Sequence, residues 1–221
     1  ACGRAGDKAK EEGIPIISYE RLVENGHIDY HVGFDAKKVG IVQAKAIVER
    51  VPQGNYIWLN GGPEEALAHY YLEGQTEVLQ PYIDRGDINI VLHEWCKGWS
   101  PEEALKHTEN GLAKADNNVD AVIASNDNTA GAAISALASQ GLAGQVPISG
   151  QDANLAAAQR IVKGTQTMTV YKELIKLNTA SMQMAVALAL GDMDVKDDVD
   201  ESLGRWTTWD NGAVEAPTFL V

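Results

Sequence analysis

Cysteine is scarce in this chain: Cys2 and Cys96 are the two it holds in 221 residues, too few for a disulfide framework and without the close Cys or His partners of a zinc site. No bridge between them is expected. His27, His31, His69, His93 and His107 stand in no HxxxH or HExxH spacing, so no metal site or other cofactor is implied. GxSxG, a GxGxxG after a strand and a phosphate loop are all missing, and the Gly61-Gly62-Pro63 turn lacks the Lys-Ser or Lys-Thr pair of such a loop. Positive charge is short as well. With 18 Lys and Arg against 31 Asp and Glu the net charge is −13, which repels phosphate backbones and anionic membrane surfaces and argues against nucleic acid as a partner. The longest alanine-rich stretch, residues 180–190, is broken by Gln183 and is too short to span a bilayer, and the N-terminus carries no signal-peptide pattern.

What remains is a 45% apolar, globular composition in which strand-like and helix-like stretches alternate. A helix end over 7–13 leads to extended runs at 14–19 and 30–34. Asp35 is placed to cap a helix through residue 51 with Val39, Val42, Ala46 and Ile47 on one face, stopped by Pro52-Gln53-Gly54. A strand follows at 56–59. Pro63-Glu64-Glu65 predicts a helix start running to about residue 83, its adjacent carboxylates complementing the dipole, and then a strand at 88–92. Ser100-Pro101-Glu102-Glu103 has the form of a capping box opening a helix to about residue 115. Then come a strand at 121–124, a helix over 128–140 capped by Asp127, a strand at 146–149, a helix over 154–163, a strand at 167–171 and a helix over 172–190. Strands alternating with helices make one doubly wound α/β lobe with attached pieces. The acidic run 192–201 reads as a solvated loop without EF-hand spacing. Residues 217–221 look like the start of a strand, so both ends read as cut edges.

Three polar segments, Ser125-Asn126-Asp127, Gly150-Gln151-Asp152-Ala153 and Val170-Tyr171-Lys172, each follow an apolar run. A parallel sheet collects them at one edge, the edge at which such sheets bind ligands. Asn126 can donate and accept at once, which makes it the ligand contact while Asp127 caps. Asp152 suits either a turn or a ligand, and Lys172 either a ligand or the surface. Trp95 and Trp99 flank a polar turn, where an indole can stack on the C–H face of a sugar or seal the core. Glu20 and Arg21 supply an acceptor and a donor fork after the first strand.

The segments 35–43, 51–56, 95–102, 124–127, 149–153 and 164–172 resemble the periplasmic pentose- and hexose-binding proteins of bacterial ABC importers, the xylose binders in particular. The resemblance implies an α/β, periplasmic-binding-protein type I fold: doubly wound parallel sheets in two lobes joined by hinge strands, with sugar held between them. On that pattern residues 1–34 are a partial first lobe, 35–151 a complete second lobe, and 152–221 the hinge crossings and return. The family's contacts carry over to Glu20, Arg21, Trp99, Asn126, Asp152 and Lys172. Glu20 stands where the family has Asp, and Glu65 and Leu67 where it has an Asp and an Asn, which alters the contacts at Glu65 and bears on which sugar fits. The implied protein is a non-enzymatic, monomeric receptor, periplasmic or extracellular, that binds a monosaccharide, D-xylose first, and serves an ABC importer permease or a membrane sensor. Ala1-Cys2-Gly3 has the form of a lipid-modified cysteine. The effector core of a sugar-responsive transcription regulator shares the fold and is the alternative.

Overall fold

Parallel strands buried on both faces organise the larger part of the chain. The computed structural model describes residues 2–191 and the pairs 207–208 and 214–215; the acidic run 192–201, the segment 217–221 and the side chain of Cys2 lie outside the described residues. The chain divides into two units, Ala36–Tyr171 and Ala1–Asp35 with Lys172–Val221. In this division residues 152–171 belong to the larger unit. Residues 152–171 stay with the larger unit because Gln151 bridges to Val170 and because Asp127 binds Asn154, Gln166 and Thr169.

In the larger unit, β3 (Gly54–Asn60) lies between β4 (Ile88–Trp95) and β5 (Ala121–Ala124), all parallel. The side chains of β3 alternate between two apolar layers. Tyr56 and Trp58 pack with Ala44 and Ile47 of α2 (Ala36–Val48) and with Leu79 of α3 (Ala66–Asp84). Ile57 and Leu59 pack with Leu112 of α4 (Pro101–Lys114) and with Ala130, Ala133 and Leu137 of α5 (Asp127–Ser139). A sheet covered on both faces requires near-continuous apolar strands, which is why 121–124 reads Ala-Val-Ile-Ala. Each fully buried aliphatic side chain here contributes about 1.5–3 kcal/mol. The α2–α3 crossing is close because Gly40 and Gly74 carry no side chains: a Cβ would stand 2.1 Å from the Tyr71 carbonyl oxygen at the first and 1.9 Å from that of Lys37 at the second. Edge strand β4 holds one extra residue, Val91, opposite the Tyr56–Ile57 step.

Two expected elements differ. Residues 146–149 form only a bridge, Val122 to Ile148, in place of a strand. Pro147 has no N–H to give the ladder, and the Ser149 hydroxyl bonds the Ala124 N–H and C=O instead of leaving them to a strand. Residues 167–171 are likewise tied by the Thr167 hydroxyl and the Val170 bridge. The helix expected from Pro63 begins at Ala66, with Pro63–Glu65 in a turn, because the Glu64 carboxylate is drawn to the Gly98 N–H at 2.8 Å. Ser100 caps α4 by accepting from Glu103 N–H at 3.2 Å.

In the smaller unit, β1 (Ile17–Tyr19) and β2 (Tyr30–Val32) are parallel, β7 (Val214–Glu215) continues the sheet parallel to β2, and β6 (Thr207–Thr208) runs antiparallel to β7. Helix α7 (Leu174–Ala189) buries Leu177, Ala180 and Met184 against Tyr30, Val32 and Phe34. Helix α1 (Cys2–Glu11) meets residues 25–27 through Gly3 and Gly6, with the Asp7 carboxylate accepting from His27 N–H. The eight-residue helix α6 (Leu155–Val162) in the larger unit is capped by Asn154. No helix among the described residues is long and apolar enough to cross a membrane.

Candidate functional site

Because β3 and β5 run in the same direction, the residues that follow them emerge at one end of the larger unit. Asn126 is the residue at which β5 gives way to α5. Its Oδ1 accepts from Thr129 N–H at 2.9 Å and from the Thr129 hydroxyl at 2.8 Å, and the Thr129 hydroxyl lies 3.4 Å from the Asn126 N–H. Asn126 is thus the N-cap of a capping box, the role expected of Asp127. The Asn126 amide nitrogen takes no part in the cap.

Asp127 instead sits fully buried as the centre of a hub. One carboxylate oxygen accepts from Gln166 Nε2 at 2.8 Å, and the other accepts from Asn154 N–H at 3.1 Å and from the Thr169 hydroxyl at 3.0 Å. Its backbone N–H donates to Gln151 C=O, and its carbonyl accepts from Arg160 Nη2. A buried carboxylate is tolerated only when it is saturated in this way. The hub ties the loop that carries Asp152 to the loop that leads to Lys172.

Asp152 is exposed and has φ +104°, and Ala153 follows at +50°, conformations that cost L-residues energy and that cluster at sites where backbone geometry serves binding. The carboxylate accepts from Gln151 Nε2 at 2.7 Å, and Gln151 Oε1 accepts from the Tyr71 hydroxyl at 2.6 Å. Trp99, also at positive φ (+57°), closes a 3₁₀ turn over Lys97–Trp99 and stands edge-on to Tyr71, with ring centroids 6.1 Å apart. Its ring lies over Gly61, where a Cβ would come within 2.2 Å of Cη2. The Gly61-Gly62 pair therefore makes room for an indole and is no phosphate cradle. Glu65 is the N-cap position of α3 with no side-chain cap bond, and Leu67 is buried beside Val39 and Val170. Trp95 is half-buried and lies against His69, ring centroids 4.7 Å apart.

Behind this edge runs a second polar chain. Trp58 Nε1 donates to Gln75 Oε1 at 2.7 Å, Gln75 Nε2 donates to Gln43 Oε1 at 2.8 Å, and Gln43 Nε2 donates to the Ser125 and Gly150 carbonyls at 3.0 and 3.2 Å. Gln43 and Gln75 are fully buried and fasten α2 and α3 to the two loops that carry Asn126 and Asp152. The sequence reading placed Val42 on the buried face of α2 and passed over Gln43. The signal lay in two uncharged glutamines on otherwise apolar helices.

In the smaller unit, Lys172 Nζ donates to Glu20 Oε1 at 2.9 Å, and Phe34 lies under the ammonium at 5.7 Å. The lysine side chain is 9% exposed and the glutamate 24%, so the pair is largely shielded. Glu20 has φ +60°, and exposed Arg21 approaches its other oxygen at 3.9 Å. His31, buried on β2, faces the Ser18 C=O through Nδ1 at 3.1 Å; as that oxygen only accepts, Nδ1 carries the proton. Burial holds the His31 pKa below its ordinary value, against the raising effects of the Ser18 bond and the Glu20 charge. Burial also pushes the Cys96 thiol up to about 12, leaving it inert. Of the sequence candidates, Glu20, Arg21 and Lys172 come together in one unit. In the other, Trp99 and Asp152 are linked through Tyr71 and Gln151, and Asn126 adjoins the Asp127 hub. Among the described residues no group of three or more His, Cys, Asp or Glu is placed to hold a metal ion.

Residues 1–193 match the periplasmic binding protein domain. The D-xylose-binding periplasmic protein of Escherichia coli is 47% identical over 97% of this chain, and the multiple sugar-binding periplasmic receptor ChvE of Rhizobium radiobacter is 32% identical over 97%. This chain spans 62% and 64% of those two proteins, less than two thirds of either. A carbohydrate transporter solute-binding protein from Chloroflexus aurantiacus, solved in complex with D-glucose, superposes with a TM-score of 0.83 at 28% identity, covering 96% of this chain and 69% of that one.

Proposed function

The chain belongs to the periplasmic binding protein family, and on that premise we propose that it is part of an extracytoplasmic receptor that binds a monosaccharide, D-xylose first, and delivers it to an ABC importer without chemical turnover. The observation that carries the proposal is the 47% identity over 97% of the chain with a protein that binds D-xylose. The geometry supports it. Trp99 offers an aromatic ring beside a loop bearing a carboxylate, the combination that recognises the C–H face and the hydroxyls of a pyranose. Among the described residues its indole N–H is buried without a hydrogen-bond partner, a donor that a ligand oxygen would satisfy. Asn126 contributes an amide, Asp152 an acceptor, and Glu20, Arg21 and Lys172 a charged set in their own unit. Glu65, beside buried Leu67, is the position at which sugar preference departs from the family pattern.

Titration calorimetry on the full-length protein with D-xylose, D-glucose, D-ribose and L-arabinose tests the proposal. Saturable heat is expected, largest in affinity for D-xylose. Absence of heat with every aldose overturns it.

A further inference from the structure

The geometry points to Tyr71 and Gln151 as positioning residues that aim the Asp152 carboxylate and couple it to Trp99, an inference that rests on the sugar-receptor reading above. Neither residue is reachable from solvent in the manner of a ligand contact: each is 3% exposed. Yet the bonds they make are directed outward. The Asp152 carboxylate only accepts, so it takes Gln151 Nε2 and leaves Oε1 on the other side of the amide, where the Tyr71 hydroxyl donates to it. Without Tyr71 the amide is held at its Nε2 end alone, and buried Oε1 is left without that donor. The tyrosine thus anchors the amide that holds Asp152.

The same ring joins that contact to the indole. Tyr71 meets Trp99 edge-on, and both pack with Leu67, Met168 and Val170, the last being the bridge partner of Gln151. A change at Trp99 is therefore transmitted through one buried ring to the amide that holds Asp152. The arrangement matters because Asp152 lies at the surface on a backbone with φ +104°. Immobilising a carboxylate before the ligand arrives removes an ordering cost from binding and sharpens discrimination against a sugar that lacks the matching hydroxyl.

The test is a double-mutant cycle on the full-length protein by calorimetry with D-xylose, using Tyr71→Phe, Asp152→Asn and the pair, with a thermal melt on each to establish folding. Tyr71→Phe alone is expected to weaken binding by about three- to tenfold, the span of one net hydrogen bond. In the Asp152→Asn background the same change is expected to cost less than twofold, because the carboxylate it positions is gone. Gln151→Glu, which sets a second carboxylate against Asp152, is expected to weaken binding more than Tyr71→Phe does. Equal losses from Tyr71→Phe in both backgrounds, or none in either, overturn the positioning role while leaving the receptor reading intact. A wild-type protein that binds no aldose overturns both together.

Discussion

Replacing Asp127 with Asn removes one negative charge and exchanges one acceptor for a donor at the centre of a buried hub. The two oxygens are not equivalent: one serves two donors, Asn154 N–H and the Thr169 hydroxyl, and the other serves Gln166 Nε2. The new amide keeps its oxygen on the two-donor side, so its NH₂ faces the NH₂ of Gln166. The glutamine cannot simply flip, since its Oε1 already accepts from Arg160 Nε at 2.8 Å. One charge-assisted bond is lost and a donor faces a donor, which together cost about 3 kcal/mol. For a domain of this size that lowers the melting temperature by about 6–12 °C. The structure also specifies the cure. Adding Gln166→Glu supplies an acceptor for the new amide and a carboxylate for Arg160 but gives up the Nε2 bond to the Met168 carbonyl at 3.0 Å, so the double variant should recover part of the loss. Circular dichroism melts of wild type, Asp127→Asn and Asp127→Asn/Gln166→Glu decide the matter. A single variant within 1 °C (roughly 0.3 kcal/mol) of wild type, or a double variant no better than the single, refutes the hub.

Two further outcomes are expected. Gly61→Ala places a Cβ 2.2 Å from the Trp99 ring, so it should destabilise the protein by about 1–3 kcal/mol and shift the tryptophan emission, both readable in one urea titration followed by fluorescence. His31 is buried with its pKa depressed, so the folded state favours the neutral ring: its contribution is intact above the unfolded-state value near ~6.5 and is lost as the pH falls through that value toward the folded one, at a slope of up to about 1.4 kcal/mol per pH unit. His31→Asn keeps a donor for the Ser18 carbonyl without titrating, and urea midpoints measured from about pH 7.5 to about pH 5, a range that brackets the imidazole value, should fall less for it than for wild type.

Elements whose signals are local were legible in the sequence. β5 was read over residues 121–124 because four small and β-branched residues sit between turns, and α4 was read from Ser100-Pro101 because a cap and a first-turn proline need no tertiary partner. The cap expected of Asp127 falls to Asn126 for the opposite reason. Both side chains can cap, and what selects Asn126 is that Asp127 has better partners in Asn154, Gln166 and Thr169, residues 27, 39 and 42 positions away. Glu64 likewise left its expected helix start for a backbone N–H 34 positions on. Tyr71 and Gln151 were out of reach: a tyrosine on an apolar helix face and a glutamine in a loop look ordinary until the fold sets one hydroxyl against one amide. Asn126, Asp152 and Lys172 are candidates because they follow apolar runs, and strand ends in a parallel sheet are a topological address that spacing can give, whereas Glu65 enters through the family resemblance alone.

The extra residue Val91 in β4 has a consequence beyond its own pairing. A long, flat outer strand is an open template on which another polypeptide can zip, and high local concentration would turn that into aggregation. β4 is eight residues long and would qualify, but the insertion shifts its register midway, and Asn89, His93 and Glu94 stand exposed along it. An incoming strand in register with the first half meets the second half out of step. The sheet is thus guarded against self-propagation by a single misaligned valine.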